Sequence, residues 1–349
     1  MVDAQHKWKA WIYLAPALIL LLIFTIWPII NTFHFAFLAG YNPSGSVAGE
    51  TYYFNLSNFS SVLTEQDFLK CLKNTSLLCI LTVPISCILA LIIAVFLNSI
   101  TKFSKLLQTI FFLPYVTNTI AIGMVFAMMF NIVNLRYESD YAKYVEDVLA
   151  TGKTPKDLYL SKFEDRNGIM YQTGYTADSW GIINNFLIFL KIDPIIWINT
   201  TASSYSANIA VLVIYIVWNA LPFKILILLG GLQSVNKQYY DAAKIDGASR
   251  FTIFRRITVP LLSPMIAYVV ITSFIGGFKE YSSVIGIYGE TRGPSGDATK
   301  RLDTIVGYIY DALAKSNYGV ASAASLILFF IIFVITLVNL YVSSKKVHY

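Results

Sequence analysis

The sequence predicts an all-α membrane protein, a bundle of six transmembrane helices. Three observations carry this. Of 349 residues, 56% are hydrophobic and 13% charged, against roughly a quarter charged in a soluble domain. Apolar residues gather in runs long enough to cross a bilayer, for which a helix needs about 20 residues. Lys and Arg cluster in short segments between those runs, the positive-inside pattern. That clustering, rather than nucleic-acid binding, explains a net charge of +6 and a pI near 9.0.

The first span covers about 11–38, after residues 1–10 with Lys7 and Lys9. It is too long for a signal-peptide core, and Pro28 is expected to kink its outer half. A polar loop at 40–69, with Gly40, Pro43, Ser44 and Gly45, leads to span two at about 71–97, which contains Pro84. Lys102 and Lys105 flank a short link to span three at about 106–130, with Pro114 and Gly123. The long polar region after it has two parts. Residues 135–178 are rich in Asp, Glu, Lys and Tyr and read as an outer insertion. Residues 181–198 are apolar but broken by Lys191, Asp193 and Pro194, too short to span, and read as an interfacial helix.

Span four covers about 208–232 and span five about 261–287, the latter weakened by Gly276, Gly277, Lys279 and Glu280. Residues 288–318 are polar, and span six covers about 320–342, ending in Lys345, Lys346 and His348. Six spans put both termini on one side. The 1–10, 99–105 and 236–260 segments and the tail share that side and its basic excess, so it is the cytoplasm.

The polar segment at 236–260 reads as two short helices around a bend. Asn236 can cap the first, and Gly247 can take the left-handed conformation that ends it. Ser249 can cap the second, with Phe251, Phe254 and Ile257 at helical spacing, before Pro260 and Pro264 stop or kink the chain. Arg250, Arg255 and Arg256 suit an anionic cytoplasmic surface.

Chemistry is scarce. The Walker, Gly-x-Ser-x-Gly and His-Glu-x-x-His patterns do not occur in the sequence. The chain is therefore expected to be non-catalytic and to bind neither ATP nor metal. The carboxylates of Asp140, Glu146, Asp147 and Asp157 read as solvated loop charges. Cys71, Cys79 and Cys87 lie eight residues apart on one helix, about 12 Å between neighbours. That is too far for disulfides, so they read as small buried residues. Of the histidines, His6, His34 and His348, none has metal-site spacing.

Aromatic residues are 15% of the chain. Most suit interfacial belts, but some adjoin polar groups inside spans and form a candidate substrate path. In span four these are Tyr215, Trp218 and Asn219, and in span five Phe278, Glu280 and Tyr281. At about 100° per residue Tyr215, Trp218 and Asn219 group together. Lys224, a charge costing about 2.5–3.5 kcal/mol at mid-depth, lies about 140° from Asn219 by the same arithmetic. It is the outlying member of the set.

The 236–260 segment carries a resemblance. Asp241-Ala242-Ala243, Asp246-Gly247-Ala248, Ile257, Pro260 and Pro264 resemble the EAA loop of ABC importer permeases, with Asp241 in place of Glu and Val259 in place of Leu. Thr109–Tyr115 resembles the Phe-Leu-Pro stretch of sugar permeases of the maltose-transporter type. Gly181–Asn184 and Gly230–Gln233 resemble further segments of the same family. The resemblance covers nearly the whole chain except 135–178. It implies that residues 241–243 and 246–248 couple to an ATPase. It implies a second permease, two ATP-binding subunits that hold ATP and Mg, and an external solute-binding protein delivering a sugar or oligosaccharide. The alternative is a self-sufficient secondary transporter or channel, a class that often shows paired broken helices and internal repeats.

Overall fold

A computed structural model describes residues 7–39, 53–100, 104–132, 136–138, 150, 159–164, 170–176, 180–198, 203–289 and 302–346. The expectations for His6, His348, Lys102, Gly40–Gly45, Asp140, Glu146, Asp147 and Asp157 fall outside the described residues.

Among the described residues, four helices are long and apolar enough to cross a membrane: α1 (Trp11–Ala36), α3 (Gln66–Ser99), α7 (Tyr205–Ser234) and α13 (Tyr318–Lys346). Two bent helix pairs pass the same test of length and composition together. Helices α4 (Ser104–Val116) and α5 (Thr119–Phe130) meet at 102°, and α9 (Arg250–Leu261) and α10 (Ser263–Phe278) at 68°. Six spans result if each bent pair crosses once. Shorter helices are α2 (Ser57–Thr64), α6 (Gly181–Phe189), α8 (Lys237–Ile245), α11 (Ser282–Tyr288) and α12 (Ile305–Ala314).

Proline chemistry shapes two helices alike. In α1, residues 22–26 form a π-helical turn and the Trp27 N–H bonds Leu22 O, just before Pro28. In α9, residues 254–258 do the same and the Val259 N–H bonds Phe254 O, just before Pro260. A proline offers no N–H to the carbonyl four residues back and its ring crowds that group; a widened turn accommodates both.

Four expectations are corrected. Span three, expected as one span at about 106–130, turns sharply at 117–118. The Asn118 side chain accepts from Ile120 N and Ala121 N, so an N-cap starts a second helix inside the apolar run. Span five, expected through 287, stops at Phe278; α11 begins after a break at Lys279–Tyr281. The loop expected at 288–318 contains α12, whose buried Ile305, Tyr308 and Ala312 make a short apolar stripe. Within 181–198, only Gly181–Phe189 is helical. Asn184 anchors the non-helical remainder by bonding Ile195 twice and accepting from Trp197 Nε1.

The chain divides into two compact units. In the first (Met1–Lys73 and Ile305–Leu337), strands β1 (Leu38–Ala39) and β2 (Tyr53–Phe54) pair antiparallel, and Phe37 stacks on Phe54 at 4.9 Å. Asn58 donates to Ala36 O and Leu38 O, in space kept open by Gly319. The Tyr308 hydroxyl donates to Glu65, and burial with that carboxylate pushes the phenol above its usual range.

In the second unit (Asn74–Thr304 and Val338–Tyr349), the insertion supplies an antiparallel sheet, β3 (Arg136–Glu138), β4 (Tyr159–Glu164) and β5 (Met170–Thr176), in the order β3-β5-β4. Two apolar cores hold the helices. One gathers Leu78, Phe130, Leu212, Tyr215 and Val284; the other gathers Ala90, Ala94, Leu97, Ile225, Leu228 and Leu262. Helix α5 crosses α11 in backbone contact: a Cβ on Gly123 would meet Gly286 Cα at 2.7 Å.

Candidate functional site

The 236–260 segment folds as its residues dictate. The Asn236 side chain accepts from Gln238 N, and Ser249 accepts from Thr252 N. Between them Gly247 has φ +70°. Its N–H bonds Lys244 O at 3.1 Å and the Ala248 N–H reaches Ala243 O at 2.9 Å, the paired bonds of a Schellman stop. Ala243 and Ala248, at the two ends of the longer-range bond, are half-buried. Asp241, Ala242, Asp246 and Gly247 are exposed, and Asp241 pairs with Lys244 at 3.1 Å. The same surface exposes Ile245 (86%) and Phe251 (71%) beside Arg250, Arg255 and Arg256. Two large apolar groups therefore stand exposed among the charges of this segment.

A cavity of about 430 Å³ lies between the two apolar cores, within the usual size of a ligand pocket. Helix α3 contributes Thr82, Val83 and Ser86, at the centre of its 34 residues. Helix α7 contributes Ile216, Asn219, Ala220, Phe223 and Lys224, at the centre of its 30. From α10 and the break after it come Thr272, Ser273, Gly276, Gly277 and Glu280; the α4–α5 bend adds Tyr115 and Thr119. On both α3 and α7, apolar core residues give way to polar ones and then resume. The cavity therefore sits at mid-depth of the long helices.

Lys224 is 6% exposed. Its Nζ donates to Ser86 Oγ at 2.5 Å and approaches Cys87 Sγ at 3.8 Å. Ser86 in turn donates to Thr82 O at 2.5 Å. Glu280 Oε1 accepts from Tyr281 N at 3.1 Å and Ser283 N at 3.0 Å, so this carboxylate stands at the start of α11. Tyr115 and Phe223 stack at 5.8 Å on the lining.

Of the expected path residues, the cavity takes in Asn219, Lys224 and Glu280, and does not take in Tyr215, Trp218, Phe278 or Tyr281. The difference is one of helical face. Lys224 lies about 140° from Asn219 but about 40° from Ala220, so residues 216, 219, 220, 223 and 224 form one broad stripe. Tyr215 is not part of the lining; it is buried behind it, with its hydroxyl donated to Thr119 O at 2.5 Å. Trp218 packs on Phe126 at 5.8 Å. Phe278 is buried. Sequence reasoning missed Thr82, Ser86, Thr272 and Ser273, although the Thr82 and Ser86 hydroxyls at positions i and i+4 of an apolar span were a signal. The three cysteines are free thiols; Cys71 and Cys79 are buried, whereas Cys87 is half-buried beside Lys224. No group of side chains among the described residues could hold a metal ion.

Residues 82–348 match the family described as binding-protein-dependent transport system inner membrane component. The arabinooligosaccharides transport system permease protein AraP of Bacillus subtilis is 27% identical over 343 residues, covering 98% of this chain and 90% of that protein. The lactose transport system permease protein LacF of Rhizobium radiobacter is 24% identical, covering 97% and 95%. The trehalose/maltose transport system permease protein MalF of Thermococcus litoralis is 26% identical, covering 96% and 94%. Among solved structures, a bacterial ABC transporter involved in the import of the acidic polysaccharide alginate shares the fold. Its TM-score is 0.70 at 20% identity, covering 98% of this chain and 97% of that one.

Proposed function

Since the chain belongs to the family of binding-protein-dependent transport system inner membrane components, we propose that it is the permease subunit of an ATP-driven importer for a sugar or oligosaccharide. The observation that carries the reading is the mid-depth cavity. It combines hydroxyls, an amide and two charges with the Tyr115–Phe223 pair, the mixture of hydrogen-bonding groups and aromatic faces that sugars need. Relatives named for arabino-oligosaccharides, lactose and trehalose or maltose support a saccharide cargo.

In this reading the chain forms half of the path and a second permease the other half. Two ATP-binding subunits hold ATP and Mg on the cytoplasmic side, where both termini of this chain also lie, and an external solute-binding protein delivers the cargo. The chain itself is non-catalytic. Asp241–Ala243 and Asp246–Ala248 belong to the segment seated on the ATPase, with Ile245 and Phe251 as its apolar contacts. Closure of the ATPase pair would swing that segment. Because α9 continues from it into the bent α9–α10 pair, the motion reaches Thr272 and Ser273 in the cavity lining, and the path alternates between outward and inward openings.

The test is uptake by complexes carrying Asn219→Leu or Thr272→Val. Each should assemble with its partners and lose at least about tenfold in uptake rate at subsaturating cargo, the effect of about 1.4 kcal/mol. Wild-type uptake by both variants would move the path elsewhere.

A further inference from the structure

We infer that this cavity selects saccharides bearing a carboxylate, such as a uronic acid residue, and that Lys224 supplies the counter-charge; the inference rests on the cavity being the cargo path. Lys224 is almost completely buried, yet its hydrogen-bond partners among the described residues are a serine hydroxyl and a cysteine sulfur. The ion pairs among the described residues are Lys70–Asp67 and Lys244–Asp241, so no described carboxylate lies within pairing distance of Lys224. Ammonium groups taken out of water are ordinarily paired. A methionine would fill the same space without that cost. The charge is useful if the opposite charge arrives with the cargo.

Glu280 does not fill this role. It is beyond pairing distance, and its Oε1 is taken by two backbone N–H groups of the α11 start. Its remaining oxygen suits sugar hydroxyls, which donate. The lining is thus asymmetric, with a cation and the Ser86 and Thr82 hydroxyls in one part and an acceptor in another. A carboxylate brings one negative charge, matched one-to-one by Lys224. A phosphate monoester brings about 1.5–2 negative charges at neutral pH and would leave an excess beside Glu280.

The experiment measures equilibrium binding to the purified complex of this chain with its partner permease and ATP-binding subunits, without the solute-binding protein, so that the cavity's own preference is read. The probes are a galacturonate disaccharide, the neutral galactose disaccharide and a galactose phosphate. Wild type should bind the uronate at least tenfold more tightly than the neutral sugar and more tightly than the phosphate. Lys224→Met should erase the preference, bringing the uronate and the neutral sugar to equal affinity, and Lys224→Arg should keep it. Three results overturn the inference: equal wild-type affinity for acidic and neutral probes, preference for the phosphate, or loss of the partner permease from the Lys224→Met complex. Asn219→Leu separates the two levels. If it weakens every probe but wild type ignores charge, the charge inference alone fails. If no probe responds to it, the path reading itself fails.

Discussion

At the scale of single residues, the glycines divide into those that need their conformation and those that need their space. Gly247 has φ +70° and no atom within 4 Å of where a Cβ would stand. Its requirement is purely conformational. Gly247→Ala should cost about 1–2 kcal/mol of local stability and Gly247→Val more, because β-branched residues tolerate the left-handed region worst. Hydrogen exchange across residues 240–250 would register this as faster exchange at Ala248, whose N–H closes the stop. Gly277 is the opposite case: a Cβ there would meet Cys79 Sγ at 2.8 Å. Gly277→Ala should lower the melting temperature of the purified complex, and adding Cys79→Gly should recover part of the loss. Independent, additive losses would show that the contact is not the cause. Neither role was legible in the Gly276-Gly277 pair itself. Composition marked a weak point in span five, and only the packing separates Gly276, open to the cavity, from Gly277, pressed on α3.

At the scale of elements, the long straight helices and the 236–260 segment were legible because both obey local rules. Apolar runs set α1, α3, α7 and α13; Asn236, Gly247 and Ser249 set the segment's caps and bend by side-chain and backbone chemistry alone. The bends were not legible. Averaged hydropathy across 106–130 hides Asn118, one polar residue whose capping bonds turn the chain by 102°. Asn118→Ala should cost about 0.5–2 kcal/mol, whereas Asn118→Asp or Asn118→Ser should retain most stability. Equal losses for all three would mean that the cap does not hold the bend. Helix α12 escaped because it is only 10 residues long and sits in a segment whose average is polar. The α5–α11 crossing was likewise hidden, since it depends on Gly123 and Gly286 meeting across 163 positions of sequence. Gly286→Val should force the helices apart and reduce folded yield severely; wild-type yield and melting temperature would deny the backbone contact.

At the scale of the whole molecule, charge placement sets the orientation and the two cores set the depth of the cavity. Orientation is checked by single cysteines at Ser104, Ser249 and Thr173 in a background lacking Cys71, Cys79 and Cys87. An impermeant thiol reagent applied to intact cells should label Thr173→Cys alone, and labelling of Ser249→Cys would invert the topology. Segregated charge and the EAA-like spacing made the overall assignment legible. The cavity wall was only half legible, because hydroxyls inside apolar runs cannot be assigned to a lining until the helices are packed. The most direct test of ATP-coupled import is ATP hydrolysis by the assembled complex in proteoliposomes, with and without its cargo-loaded binding protein. The wild-type complex should be stimulated several-fold and accumulate cargo only with ATP. The complex with Asp241→Lys, which reverses an exposed charge on the 236–260 segment, should assemble and show little stimulation. Accumulation without ATP, driven by an ion gradient, or full stimulation of the Asp241→Lys complex, would contradict it.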